Sequence, residues 1–120
     1  MKHRLADYLA HMAEAAGLAC SYVRDMTQAV FLADKRTQQA VILNLLILGE
    51  AATKVLQEHA DFAEQHPEVP WRSMKGMRNR LAHGYFDIDL DVVWQTVQTA
   101  LPALLERLAS LKPDASQADA

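Results

Sequence analysis

From Asp34 to His59 the chain reads as one long helix that is apolar almost all the way round. Its middle, Val41-Ile42-Leu43 followed by Leu45-Leu46-Ile47-Leu48, is interrupted only by Asn44. A helix that is apolar on every side has to be covered on every side. The segment therefore predicts the central helix of a bundle, with a second subunit as one source of cover. Asp34 supplies its start, because a carboxylate there accepts from the free amides of the first turn. The apolar run from Ala40 to Leu48 is well short of the ~20 residues that a membrane span needs. Met1-Lys2-His3-Arg4 leads into no apolar signal core. These two features predict a soluble, cytoplasmic protein.

The rest of the chain follows the same period. Leu5, Tyr8, Leu9, Met12, Ala16, Ala19 and Val23 recur at three- and four-residue spacing, which predicts a first helix from Lys2 to about Arg24. Thr27 to Ala33 reads as a separate short helical turn. Asp61 to Val69 is polar and carries Pro67, so it reads as a connection. Pro70 suits the first turn of a new helix, whose buried stripe is Trp71, Met74, Met77 and Leu81 and whose stop is Gly84. Asp87 or Asp89 caps a last helix through Leu108, and Pro102 inside it predicts a kink near Gln98. With 51% hydrophobic residues, four glycines and four prolines in 120 residues, a few long helices fit better than many strands. The prediction is an all-α, antiparallel bundle of four to six helices. It forms one domain over residues 1–112, and a polar tail follows over 113–120.

Chemistry concentrates in Arg78-Asn79-Arg80-Leu81-Ala82-His83-Gly84-Tyr85. Asn79 and His83 share one helix face; Arg78, Ala82 and Tyr85 share another. Arg78 and His83 stand about 140° apart on an ideal helix. They converge only through arginine's length, the helix end, or a partner subunit. A guanidinium fork matches phosphate, and an imidazole exchanges protons near neutral pH. Together they suffice for metal-free RNA cleavage, in which histidine handles the proton of the 2′-OH or leaving oxygen and arginine stabilises the phosphoryl charge. The same residues also have a plain structural use. Arginine and histidine near a helix C-terminus each complement its dipole by about 0.3–1 kcal/mol.

The formal charge of −3 excludes a general nucleic-acid coat, so any RNA contact needs a local patch. Arg72, Lys75, Arg78 and Arg80 are the candidate, as a solvated helix face or, doubled by a two-fold axis, as a basic cleft. Glu50 either orients Arg78, Arg80 or His83 or pairs with Lys54 four residues on. Asn44 is either a buried polar group or a gap in the apolar stripe. His59 and His66, with Asp61 and Glu64, match no metal-ligand spacing. No metal or cofactor is expected. The single cysteine, Cys20, excludes an internal disulfide and reads as inert core.

The stretch from Arg78 to Tyr85 has the form Arg-x-x-x-x-His-x-Tyr. With Leu48-Gly49-Glu50-Ala51-Ala52, Pro67-Glu68-Val69-Pro70-Trp71, Gly76-Met77-Arg78-Asn79 and the helix start from Asp89 to Trp94, it resembles the HepT-like toxins among the HEPN (higher eukaryotes and prokaryotes nucleotide-binding) domains. The resemblance runs from about Leu5 to Leu108. It implies an all-helical ribonuclease that works as a two-fold homodimer with its cleft at the dimer interface. It also implies a toxin–antitoxin pair in which a minimal nucleotidyltransferase antitoxin transfers AMP to the motif tyrosine. Carried over, Arg78 and His83 are the catalytic pair and Asn79 supports them. Tyr85 accepts AMP, and the substrate is RNA, either tRNA or mRNA. The alternative is a non-catalytic helical partner of a nucleotidyltransferase.

Overall fold

The computed structural model describes residues 4–111, the side chain of Tyr85 excepted. The tail from residue 113 and the start of the first helix, at residues 2 and 3, lie outside the described residues. Six helices account for the chain, with no strand among the described residues. They are α1 (Leu5–Tyr22), α2 (Gln28–Ala33), α3 (Lys35–Glu58), α4 (Ala60–Gln65), α5 (Trp71–His83) and α6, which runs from Leu90 to Ser110 in three continuous segments. A 3-10 turn, Tyr85–Asp87, joins α5 to α6.

Helix α3 is the spine. Helices α1 and α5 both pack along it, and the last part of α6 packs on α1. The side chains of Val41, Leu45, Leu48, Ala52 and Val55 are buried along one side of α3. Its start is capped as its sequence predicts. Asp34 Oδ1 accepts from the Thr37 amide at 3.2 Å, and Oδ2 accepts from the Thr37 hydroxyl at 2.8 Å. The Thr37 hydroxyl bond, then the Thr37 amide bond, hold the Asp34 carboxyl below its ordinary range. Helix α2 ends against α3, where the Gln38 amide donates to Phe31 O and Leu32 O at 3.0 Å each.

Three features depart from the sequence reading. The polar connection after His59 contains a short helix, α4, because Phe62 and Ala63 are buried and anchor an otherwise hydrophilic turn. The cover around α3 is incomplete. Leu43 is 56% exposed and Ile47 40% exposed, because α1 and α5 flank the helix and leave an outer strip between them. Helix α3 is also long enough to cross a membrane and contains an 18-residue window with a mean hydropathy of 1.5, although the shorter run judged alone falls short. Its inner face is instead spent on α1 and α5. Asn44 is buried, and its amide donates to Ala40 O at 3.0 Å.

The third departure is in α6. Pro102 produces a wide π turn over Thr96–Ala100 rather than a simple kink. The Leu101 amide reaches back to Thr96 O, and the same register would set Val97 O opposite Pro102, which has no N–H. The Cys20 thiol of α1 donates to that carbonyl at 3.8 Å. Burial pushes the Cys20 thiol up, which keeps its proton in place.

Helices α3 and α5 meet at Gly49. A methyl group there would lie 2.8 Å from Met74 O, 3.1 Å from Arg78 Cγ and closer still to Arg78 Cβ. Glycine inside a helix costs about 0.5–1 kcal/mol relative to alanine, so the close approach offsets a real penalty.

Three outcomes follow from this packing. Gly49→Ala should lower stability by about 1–3 kcal/mol through overpacking, despite better helix propensity, as measured by urea unfolding. Cys20→Ala should cost about 1 kcal/mol by stranding Val97 O, while far-UV circular dichroism stays unchanged. Asp34 has a depressed pKa, so its contribution is complete above the ordinary carboxylate value and is lost as pH falls through the lowered one. Asp34→Ala should therefore melt below wild type at pH 7, with the gap closing in acid.

Candidate functional site

Helix α5 begins after Pro70 and is pinned at its start by Trp71, whose indole N–H donates to His66 O at 3.0 Å. Trp71, Met74 and Leu81 are buried, and Met77 is half-buried beside them. This stripe turns Arg78 toward α3. One terminal nitrogen of Arg78 lies 3.1 Å from Glu50 Oε2, and the other donates to Asn79 Oδ1 at 3.0 Å. Of the four partners considered for Glu50, the structure pairs it with Arg78. The Arg78 side chain remains 34% exposed, so its other N–H groups face water.

The pair sits in a groove of about 630 Å³. Its floor is the outer strip of α3, with Leu46, Ile47, Glu50, Ala51, Lys54 and Glu58. One wall is α5, with Arg78 and Ala82; the other is α1, with Tyr8 and His11. The Tyr8 hydroxyl lies 3.0 Å from each oxygen of Glu58 and ties the start of α1 to the end of α3. Lys54 and Arg78 are thus matched by Glu50 and Glu58, so the groove of a single protomer is close to neutral rather than strongly basic. His11, Tyr8 and Glu58 escaped the sequence reading. Their only signal is the three-residue spacing of Tyr8 and His11, which puts both on one side of α1.

His83 is exposed at the last turn of α5, next to Ala82 but outside the groove lining. Within one protomer, then, Arg78 and His83 open onto adjacent faces. Asn79 is exposed beside Arg78. Tyr85 follows in the 3-10 turn, so its backbone is placed while its side chain lies outside the described residues. Gly84 caps α5 at a negative φ of −133°, so the helix stops without a left-handed glycine.

The remaining cations fan out around α5 instead of gathering. Arg80 lines a second cavity of about 300 Å³ with Asp87 and Asp89. Arg72 and Lys75 line a third of about 440 Å³, between the end of α4 and the start of α5. His59 is buried against Tyr8, with ring centroids 6.1 Å apart. His66 Nδ1 lies 3.0 Å from Glu68, whose carboxyl that contact holds below its ordinary range. Neither histidine lines the groove, although His59 lies behind its Tyr8 wall.

Known proteins resemble the chain along most of its length. A protein of Thermococcus cleftensis named probable ribonuclease HepT is 42% identical over 112 residues, covering 93% of this chain and 99% of the relative. A Methanocaldococcus jannaschii protein provisionally named as an RNase is 39% identical over 93 residues, 78% of this chain and 74% of its own length. A second M. jannaschii protein, also provisionally an RNase, is 34% identical over 103 residues, covering 86% and 92%. No solved structure gives a significant match. The family described as Ribonuclease HepT-like matches residues 12–111, a span that includes α3, α5, Glu50 and the whole stretch from Arg78 to Tyr85, and the chain belongs to that ribonuclease family.

Proposed function

We propose that the protein is a metal-independent endoribonuclease toxin that cleaves RNA with Arg78 and His83. The observation that carries this reading is the partly exposed side chain of Arg78, whose guanidinium is held by Glu50 and Asn79 in a groove of about 630 Å³. A guanidinium clamped on two sides loses little freedom when it meets a phosphate. Arg78 stabilises the negative charge that builds on the phosphoryl oxygens, and His83 moves a proton. The products are a 2′,3′-cyclic phosphate and a 5′-hydroxyl. Because this chemistry needs a 2′-OH, the substrate is RNA, of the tRNA or mRNA class, and not DNA.

The active form in this reading is a homodimer. The outer strip of α3 carries Ile47 in the groove and exposed Leu43 one turn before it, and an apolar strip of this kind is suited to a second copy. A two-fold axis near the strip would bring His83 of one protomer toward Arg78 of the other. It would also add a second copy of Arg72, Lys75 and Arg80 around the shared cleft, as separate cationic points for RNA phosphates. The cognate antitoxin is a minimal nucleotidyltransferase that transfers AMP to Tyr85. AMP adds bulk and negative charge one turn beyond Ala82, where it competes with RNA phosphate for Arg78. Both proteins act in the cytoplasm.

The test is RNA cleavage in the presence of EDTA by wild type, Arg78→Ala and His83→Ala. Each variant should lose about 10²–10⁴-fold in rate with its thermal midpoint retained. Equal cleavage by all three would remove both residues from the chemistry. If the protein instead only docks a nucleotidyltransferase, expression without that partner should be harmless; growth arrest that requires His83 is the outcome expected of the toxin.

A further inference from the structure

Cleavage through a 2′,3′-cyclic phosphate needs two proton movements on opposite sides of phosphorus. The 2′-oxygen enters roughly in line with the departing 5′-oxygen, so one group cannot serve both sides at once. In the homodimer proposed above, α5 of the second protomer brings its His83 to one side of Arg78. The opposite wall of the groove belongs to α1, and His11 is exposed on it. Among the described residues, His11 is the histidine that lines the same cavity as Arg78. The wall that carries it is fixed, because Tyr8, one turn earlier, is bound through its hydroxyl to Glu58 of α3.

We propose that His11 is the second proton-transfer residue of the RNA-cleaving site, working across the groove from Arg78. One imidazole takes the 2′-OH proton as the bond from the 2′-oxygen to phosphorus forms. The other delivers a proton to the 5′-oxygen as its bond to phosphorus breaks. One proton leaves the substrate and one is returned, with no further reactant. The charged groups that share the groove with His11 are Glu50, Lys54 and Glu58 on α3 and Arg78 on α5, and Asp7 and Glu14 lie within about a turn of it along α1. The inference rests on the reading of Arg78 and His83 as the cleaving pair.

The experiment is the pH dependence of kcat/KM on a short RNA for wild type, His11→Gln, His83→Gln and Arg78→Ala. Wild type should give a bell, since its two limbs report one base and one acid. His11→Gln should fall about 10²-fold and lose one limb while its thermal midpoint stays put. A His11→Gln profile that keeps both limbs, or a loss under about threefold, overturns the inference and leaves the cleaving pair intact. Full activity in Arg78→Ala and His83→Gln overturns the cleaving pair instead. A second measurement is independent of turnover: titrating uridine 3′-monophosphate while following the His11 ring by NMR. The ring signal should shift in wild type and stay still in Arg78→Ala. A ring that ignores the nucleotide in wild type also overturns the assignment.

Discussion

At Gly49 the central helix lets α5 come so near that one methyl group would collide with the carbonyl of Met74 and the first carbons of Arg78. Much of the molecule follows from that contact. It sets the distance between α3 and α5. It also places Arg78 beside Glu50, the residue next to the glycine, so that the carboxylate meets the guanidinium at 3.1 Å. A larger residue would push α5 outward and open that pair. The glycine therefore acts on charge as much as on packing: it decides where a cation can be held while still meeting water.

The bundle was legible because its signals are local. The apolar period of α1 and α3, the Asp34 cap and the proline start of α5 each depend on a few neighbouring residues, and each appears where the sequence puts it. Helix α4 was not legible, because Phe62 and Ala63 are too short an apolar pair to outweigh the polar residues around them. The wide turn before Pro102 was visible only as a disturbance. A missing amide says that a helix must deviate but not whether it bends or widens.

Site legibility divides along the same line. The stretch from Arg78 to His83 stands out because its residues are adjacent in sequence. The α1 wall does not, since Tyr8 and His11 look like one core residue and one surface residue until α3 brings Glu58 and Lys54 to them. The spread of the cations teaches something similar. Arg72, Lys75, Arg78 and Arg80 read as one patch along the chain, yet helical rotation sends them to three cavities. Closeness in sequence gave a shortlist but a misleading picture of the surface.

The wide turn in α6 also constrains how this chain can vary in length. The core positions Val93, Val97, Leu101, Leu104, Leu108 and Leu111 are spaced four, four, three, four and three apart. Two successive steps of four overshoot an ordinary helix by about 80°, and a widened turn takes up that excess. The widened turn therefore lets the helix carry one surplus residue while its downstream half stays in phase. Deleting one residue from Thr96–Ala100 would restore ordinary winding and leave about 700° across the same two turns, so Leu104 and Leu108 would still face the core. The same deletion elsewhere in α6 would turn everything beyond it by about 100°. Relatives of this chain should accordingly tolerate the loss of one residue within this turn better than elsewhere in the helix.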